Sequence, residues 1–259
     1  MIKPKVLKED AQEKTFLYLR AVINKNIPNL LTLCNLLCGC IAIVFAFEGN
    51  LIWCAYMVGI ACVFDFLDGL VARLLNVNSE IGKQLDSLAD MVSFGVVPGV
   101  ILFKLINQIS ITCGADIFSS VPISYAGFLV TIISAVRLAK FNIDTRQRES
   151  FTGLPTPANT IFILSLPLIL EFNTAYTSII ENPYFLISLS LISSFLLIAP
   201  LPLFAFKFKN FSWADNKVRY IFLVLTLALL IVFQFVGIPL IIILYIVLSV
   251  INNIVSKKT

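Results

Sequence analysis

From residue 29 to residue 255 the chain is a succession of apolar stretches close to the length a membrane demands, and that feature excludes most folds. A transmembrane helix needs ~20 apolar residues to cross ~30 Å of hydrocarbon. Eight stretches meet or approach this, roughly 29–47, 51–73, 84–106, 121–141, 157–173, 183–205, 218–236 and 238–255. A composition 59% hydrophobic and only 13% charged, with a mean hydropathy of +0.94, does not fit a soluble core. The expectation is an all-α, polytopic transmembrane helical bundle of about eight spans. Only Val236-Gly237-Ile238-Pro239 separates the last two, so seven spans result if one of them is re-entrant.

The first 27 residues are polar and carry Lys3, Lys5, Lys8, Lys14, Arg20 and Lys25 among Phe16, Leu17, Leu19, Val22 and Ile23. That pattern is too charged for a secretory signal. It predicts a basic amphipathic helix over roughly 9–25, lying on an anionic membrane surface. With the N-terminus cytoplasmic, alternate loops gather 18 of the 19 Lys and Arg on the inner side, leaving only Lys104 outside. The positive-inside rule then orients the bundle. Loop 206–217, with Phe208, Phe211 and Trp213 among lysines, reads as an interfacial anchor.

Against this apolar background residues 65–90 stand out: Asp65-x2-Asp68-Gly69-x2-Ala72-Arg73-x8-Gly82-x3-Asp86-x3-Asp90. Residues 51–73 read as one helix and those from about 82 as the next, with Asn76, Asn78 and Ser79 at the turn. Asp65, Gly69 and Ala72 fall close to one line of the first helix, flanked by Asp68 and Arg73. Gly82, Asp86 and Asp90 share a face of the second. Two carboxylates per helix therefore face one cleft on the cytoplasmic side.

Acids at a membrane edge are costly and mark function. Four such carboxylates repel unless cations compensate them, and Arg73 and Lys83 supply only two charges. Two divalent metals solve the problem. An all-oxygen ligand set in a chain without histidine favours Mg²⁺ or Mn²⁺, with Ca²⁺ an acceptable occupant. Gly69, Ala72 and Gly82 leave room beside Arg73 for a large anion such as a diphosphate.

At every fixed position these residues match the signature D-x2-D-G-x2-A-R-x8-G-x3-D-x3-D, so the chain resembles the CDP-alcohol phosphotransferase family. The resemblance implies a membrane enzyme that displaces CMP from CDP-diacylglycerol with an acceptor hydroxyl. It makes Asp65, Asp68 and Asp86 metal ligands, with Asp90 close to the metals and acting as the base. Asn29, Thr32, Gly69, Ala72, Arg73 and Gly82 would contact the CDP-lipid. Asn29, just after Pro28, reads equally as an ordinary helix N-cap. The resemblance also implies a homodimer in a bacterial-type inner membrane, in contact with membrane lipids and with no nucleic-acid partner. The chain then divides into an interfacial segment 1–27, a catalytic core 28–205, and a C-terminal loop with two additional helices, 206–259.

The acceptor is read from the cationic inner loop 137–157, RLAKFNIDTRQRESFTGLPTP, which suits a carboxylate or a phosphate. Its RLAKFN and F-x-G-L-P-T-P-A segments, with Ser93-Phe94-Gly95-Val96-Val97-Pro98-Gly99, resemble the phosphatidylserine synthase branch. L-Serine is the acceptor this implies, with Arg137, Lys140, Asn142, Gly153, Pro155 and Pro157 at its site. Lys140 stands where that branch often has arginine, a point charge in place of a fork. Two other readings stay open at this stage: a sister enzyme using glycerol 3-phosphate or another alcohol, and a cation transporter built on the four aspartates. The six cysteines, five of them inside apolar spans, read as small packing residues.

Overall fold

The computed structural model describes residues 4–77, 79–112, 123–143, 150–204 and 213–256. Its α-helices are α1 (Pro4–Phe47), α2 (Leu51–Leu74), α3 (Glu80–Asp90), α4 (Val97–Thr112), α5 (Leu129–Ile143), α6 (Thr156–Phe172), α7 (Thr177–Ile180), α8 (Pro183–Ile198), α9 (Trp213–Phe233) and α10 (Gly237–Ser256). A π-helical segment, Met91–Val96, joins α3 to α4, and a 3-10 segment, Ile123–Phe128, leads into α5. The only strands among the described residues are a short antiparallel pair, β1 (Ser150–Thr152) with β2 (Pro202–Phe204). Loops 144–149 and 205–212, Asn78 and Cys113 lie outside the described residues.

By length and composition, five of the described helical segments are able to cross a bilayer, or six if the bent pair α6 and α7 is one span. The last of the five, Asn216–Ile254, is folded back on itself. The rings of Phe222 and Tyr245 lie 5.8 Å apart, whereas a straight helix would separate these residues by ~35 Å. Thus α9 and α10 form an antiparallel pair turning at Gln234, whose φ is 49°. Each of the eight predicted stretches holds helix. The sixth ends at Ile198 rather than near 205, because Pro200 and Pro202 cannot continue a helix and the chain enters β2 instead.

One expectation fails at the N-terminus. Instead of an amphipathic helix and then a new one capped by Asn29, α1 is a single helix that carries Pro28 in its interior. Proline is tolerated in membrane helices because side-chain hydroxyls and neighbouring helices re-satisfy the freed backbone. The carbonyl that Pro28 leaves without an intrahelical donor is that of Asn24, one turn earlier. The side chains of residues 4–25, on which the expected amphipathic face depends, fall outside the described ones.

The core lies between α1, α2, α4, α6 and α8, where Ala42, Val58, Ile101, Ile106, Ile163 and Leu186 are fully buried. Between helices surrounded by lipid, burial brings little hydrophobic gain; close contact of small residues and hydrogen bonds averaging ~0.6 kcal/mol hold such bundles. Gly127 illustrates the first, since a Cβ there would come within 2.6 Å of the Phe103 amide nitrogen of α4. The π segment illustrates the second. Its widened turn frees carbonyls that neighbouring helices take up: Thr160 of α6 donates to Phe94 O at 2.7 Å, and Thr131 of α5 to Gly95 O at 2.9 Å. Ser93 in turn donates to the Asn35 carbonyl of α1 at 3.1 Å. The segment directly after Asp90 is thereby tied to three helices. At the far end of α1, Lys104 donates to the Phe47 carbonyl at 3.0 Å and sits over its ring.

Candidate active site

Two helix ends make the site, and both are capped by the residues that the turn between them supplies. Near the end of α2, Asn76 adopts φ 51° and the Val77 amide donates to the Ala72 carbonyl at 2.9 Å, closing the helix in the left-handed manner. Ser79 then starts α3, its Oγ accepting from the Gly82 amide at 3.2 Å. The turn is short, so Asp65 and Asp68 of α2 face Asp86 and Asp90 of α3.

One carboxylate oxygen from each of Asp65, Asp68 and Asp86 lies within 4.8 Å of the other two. At an effective dielectric of ~20, two unit charges this close repel by about 3 to 4 kcal/mol. Three such pairs in a partly buried cleft call for a compensating cation, and the donor set is all oxygen, as Mg²⁺ and Mn²⁺ prefer. The geometry fits a metal. Asp90 stands outside this triad, its carboxyl in side-chain contact with that of Asp65.

Helix α1 supplies the groups that hold two of these acids in place. The Thr32 hydroxyl donates to Asp68 Oδ2 at 2.6 Å, and both residues are buried. Asn35 Nδ2 reaches Asp90 Oδ1 at 3.4 Å, a long contact from a fully buried side chain whose Oδ1 has no partner among the described residues. Thr32 was expected at the CDP-lipid. Asn35 was missed, although a lone amide in the run Cys34 to Ile41 is the kind of intramembrane polar residue that signals function.

The small residues divide into two kinds. A Cβ on Gly69 would meet nothing within 4 Å, so the cleft is open at that point of α2. At Gly82 a Cβ would come 2.9 Å from Asn29 Oδ1 and 3.3 Å from Ser79 Cβ. Gly82 therefore lets α3 approach α1 rather than leaving free space, and Asn29 is its neighbour rather than a helix cap. Ala72 is half-buried, and exposed Arg73 turns back on its own helix, Nε donating to the Gly69 carbonyl at 2.9 Å.

On the acceptor side, Arg137 is 9% exposed and donates from Nη1 to Thr156 Oγ1 at 2.8 Å, while its buried Nε has no partner among the described residues. Among the described residues its hydrogen-bond partner is a neutral hydroxyl, with the Asp90 carboxyl near enough to act on its charge, so most of its donors are left for an anion. Asn142 is exposed and exchanges hydrogen bonds of 2.9 and 3.0 Å with Ser87, the residue after Asp86. The end of α5 is thus fastened to α3 beside the aspartates. Lys140 is exposed. Thr156 and Ser87 went unremarked in the sequence, where neither differs from an ordinary hydroxyl.

Gly153, Pro155 and Pro157 shape the backbone on this side of the site. Gly153 has φ +79°, its amide donates to Leu201 O at 3.0 Å, and a Cβ there would lie 2.5 Å from the Leu197 carbonyl oxygen. Leu154 N donates to Leu196 O at 2.9 Å, and Pro155 and Pro157 bracket the first residue of α6. These three residues dock the strand onto the end of α8 and start α6, which delivers Thr156 to Arg137.

Comparison with known proteins places the chain among similar sequences of one family. The model of the family described as CDP-alcohol phosphatidyltransferase matches residues 25–196. A CDP-diacylglycerol–serine O-phosphatidyltransferase of Mycobacterium leprae is 33% identical over 193 residues, which is 71% of this chain and 60% of that protein. Its namesake in Bacillus subtilis is 32% identical over 157 residues, 57% of this chain and 81% of the other. An archaetidylserine synthase of Methanothermobacter thermautotrophicus is 30% identical over 169 residues, 64% of this chain and 66% of the other. The match thus spans only 60% of the Mycobacterium leprae protein, and 55% of a Helicobacter pylori relative.

Proposed function

This chain belongs to the CDP-alcohol phosphatidyltransferase family, and from that premise we propose that it transfers the phosphatidyl group of CDP-diacylglycerol to the hydroxyl of L-serine, forming phosphatidylserine and releasing CMP. The observation that carries the reading is the convergence of Asp65, Asp68 and Asp86 within 4.8 Å, beside Asp90. Serine as acceptor is supported by the names of the relatives and by Arg137, whose Nε, without a partner among the described residues, suits a carboxylate.

Asp65, Asp68 and Asp86, with Asp90 beside them, would hold two divalent cations, whose charge when bound neutralises the diphosphate and makes CMP a good leaving group. The chain's own residues do the rest. Thr32 fixes the rotamer of Asp68. The open face at Gly69 admits the diphosphate against the backbone of α2. Arg137, steadied by Thr156, orients the serine carboxylate. Asp90, in reach of Asn35, takes the proton from the serine hydroxyl as its oxygen bonds to the phosphatidyl phosphorus and the bond from that phosphorus to the CMP oxygen breaks.

The reading includes a bacterial-type inner membrane with the aspartates on its cytoplasmic side, which the distribution of Lys and Arg supports, and a homodimer, to be read from the mass of the detergent-solubilised protein. The test is CMP release by purified protein given CDP-diacylglycerol, Mn²⁺ or Mg²⁺, and serine or glycerol 3-phosphate in turn. Serine-dependent release abolished by a chelator is expected. Release with glycerol 3-phosphate and none with serine would discard the acceptor and keep the chemistry.

A further inference from the structure

A second cavity, of about 390 Å³, lies away from the aspartates, between α6, α8 and α10. Apart from Asn159, Ser193 and Tyr176, every residue lining it is apolar. It lies at the bundle's outer surface, since Ile192 of α8 and Ile243 of α10, both on its wall, are more than half exposed. At this depth of a membrane protein the molecules available to an apolar cleft are lipids.

The dimensions select a particular part of a lipid. Along α6 the wall runs from Asn159 to Ile169, a rise of ~15 Å, which is half the ~30 Å hydrocarbon core and so the depth of one leaflet. The polar handle sits at one end of it. Asn159 is 1% exposed; its Oδ1 accepts from the Ser193 hydroxyl and its Nδ2 has no partner among the described residues. A buried amide donor left without an acceptor is unfavourable. Asn159 is also one turn along α6 from Thr156, the partner of Arg137. That places its free donor just below the polar layer of the site, where the ester carbonyls of a lipid lie.

We propose that this cavity holds one acyl chain of a diacyl lipid from the leaflet nearest the aspartates, with the ester carbonyl accepting a hydrogen bond from Asn159 Nδ2. Helix α10, which lies beyond the residues 25–196 matched by the family model, closes the cavity through Ile243 and Ile246. The site is therefore a property of this chain's C-terminal hairpin. Two sources offer the same chemistry, a bilayer phospholipid and the CDP-diacylglycerol proposed as donor.

The experiment uses the full chain in phosphatidylcholine nanodiscs doped with phosphatidylcholine, or with CDP-diacylglycerol, carrying a diazirine in mid-chain. After irradiation, adducts are mapped by peptide mass spectrometry. They are expected to concentrate on Leu166, Ile169, Ile243 and Ile246, and to fall at least tenfold in Ile243→Trp, with adducts on outward-facing Leu37 and Val63 unchanged. Asn159→Leu is expected to lower them about threefold. Adducts spread evenly over the cavity residues, Leu37 and Val63, or unaltered by Ile243→Trp, would overturn the proposal. Should Asn159→Leu fail to insert, Ile243→Trp decides alone. Labelling by both probes assigns the cavity to diacyl lipids in general, and labelling by the nucleotide probe alone to the donor. The phosphatidylcholine arm needs no turnover, so its outcome is separate from that of the serine assay.

Discussion

The Thr32 hydroxyl donates to Asp68 Oδ2 at 2.6 Å, joining α1 to the carboxylate cluster of α2 across a buried contact. A hydrogen bond to a charged group contributes about 1.5 to 3 kcal/mol. Thr32→Val keeps the shape and removes the donor, so Asp68 loses its fixed rotamer. Serine-dependent CMP release is expected to fall about tenfold or more, with a raised requirement for Mn²⁺. Thr32→Ser restores the donor and should recover most of the rate. Equal activity in the valine and serine variants would remove Thr32 from the site.

Asp86 and Asp90 sit one turn apart on α3 and are expected to fail differently. Asp86 belongs to the triad within 4.8 Å, whereas Asp90 stands outside it. Asp86→Asn should abolish tight Mn²⁺ binding, read by the quenching of the free-ion paramagnetic resonance signal. Asp90→Asn should retain most Mn²⁺ and CDP-diacylglycerol binding yet lose roughly 10²- to 10⁴-fold in turnover, the contribution of a general base. Near-normal turnover in Asp90→Asn would rule out that role.

Gly153 and Gly69 separate a structural glycine from one that keeps space open. Gly153 has φ +79°, and the Leu197 carbonyl oxygen stands 2.5 Å from where a Cβ would lie. Gly153→Ala must therefore strain or displace the backbone, at a cost on the order of 1 to 3 kcal/mol. The expected result is a lower melting temperature in detergent, with KM for serine little changed in the protein that remains folded. At Gly69 a Cβ meets nothing within 4 Å. Gly69→Val should leave the melting temperature within a few degrees and raise KM for CDP-diacylglycerol several-fold.

Those contrasts mark how far the sequence could be read. The spacing of Asp65, Asp68, Asp86 and Asp90 was legible because helical geometry converts intervals of three and four directly into a shared face. Pro28 misled, because its local preference for ending a helix is overridden where neighbouring groups satisfy the backbone. The π segment at Met91–Val96 leaves no periodic trace; it exists because Thr131 and Thr160, far along the chain, take up its carbonyls. Gly82 reads as space for substrate, but which atoms stand opposite a glycine is a tertiary fact. The pairing of Arg137 with Thr156 was hidden for the same reason, since 19 residues and an intervening loop separate them.

That pairing carries the acceptor assignment, and it can be tested without disturbing the aspartates. Arg137 is buried with Nη1 on Thr156 and Nε without a partner among the described residues. A carboxylate gripped by a planar fork loses geometry as well as strength when lysine replaces arginine. Arg137→Lys is therefore expected to raise KM for serine tenfold or more, with KM for CDP-diacylglycerol nearly unchanged. Thr156→Val frees the guanidinium without removing it and should give a smaller rise in the same constant. Serine amide, which lacks the carboxylate, should be a poor acceptor for the native chain and should discriminate little between it and Arg137→Lys. If Arg137→Lys instead raised KM for the nucleotide lipid alone, the guanidinium would belong to the donor's diphosphate, and the serine carboxylate would have to be sought at Lys140 or Asn142 on the same helix end.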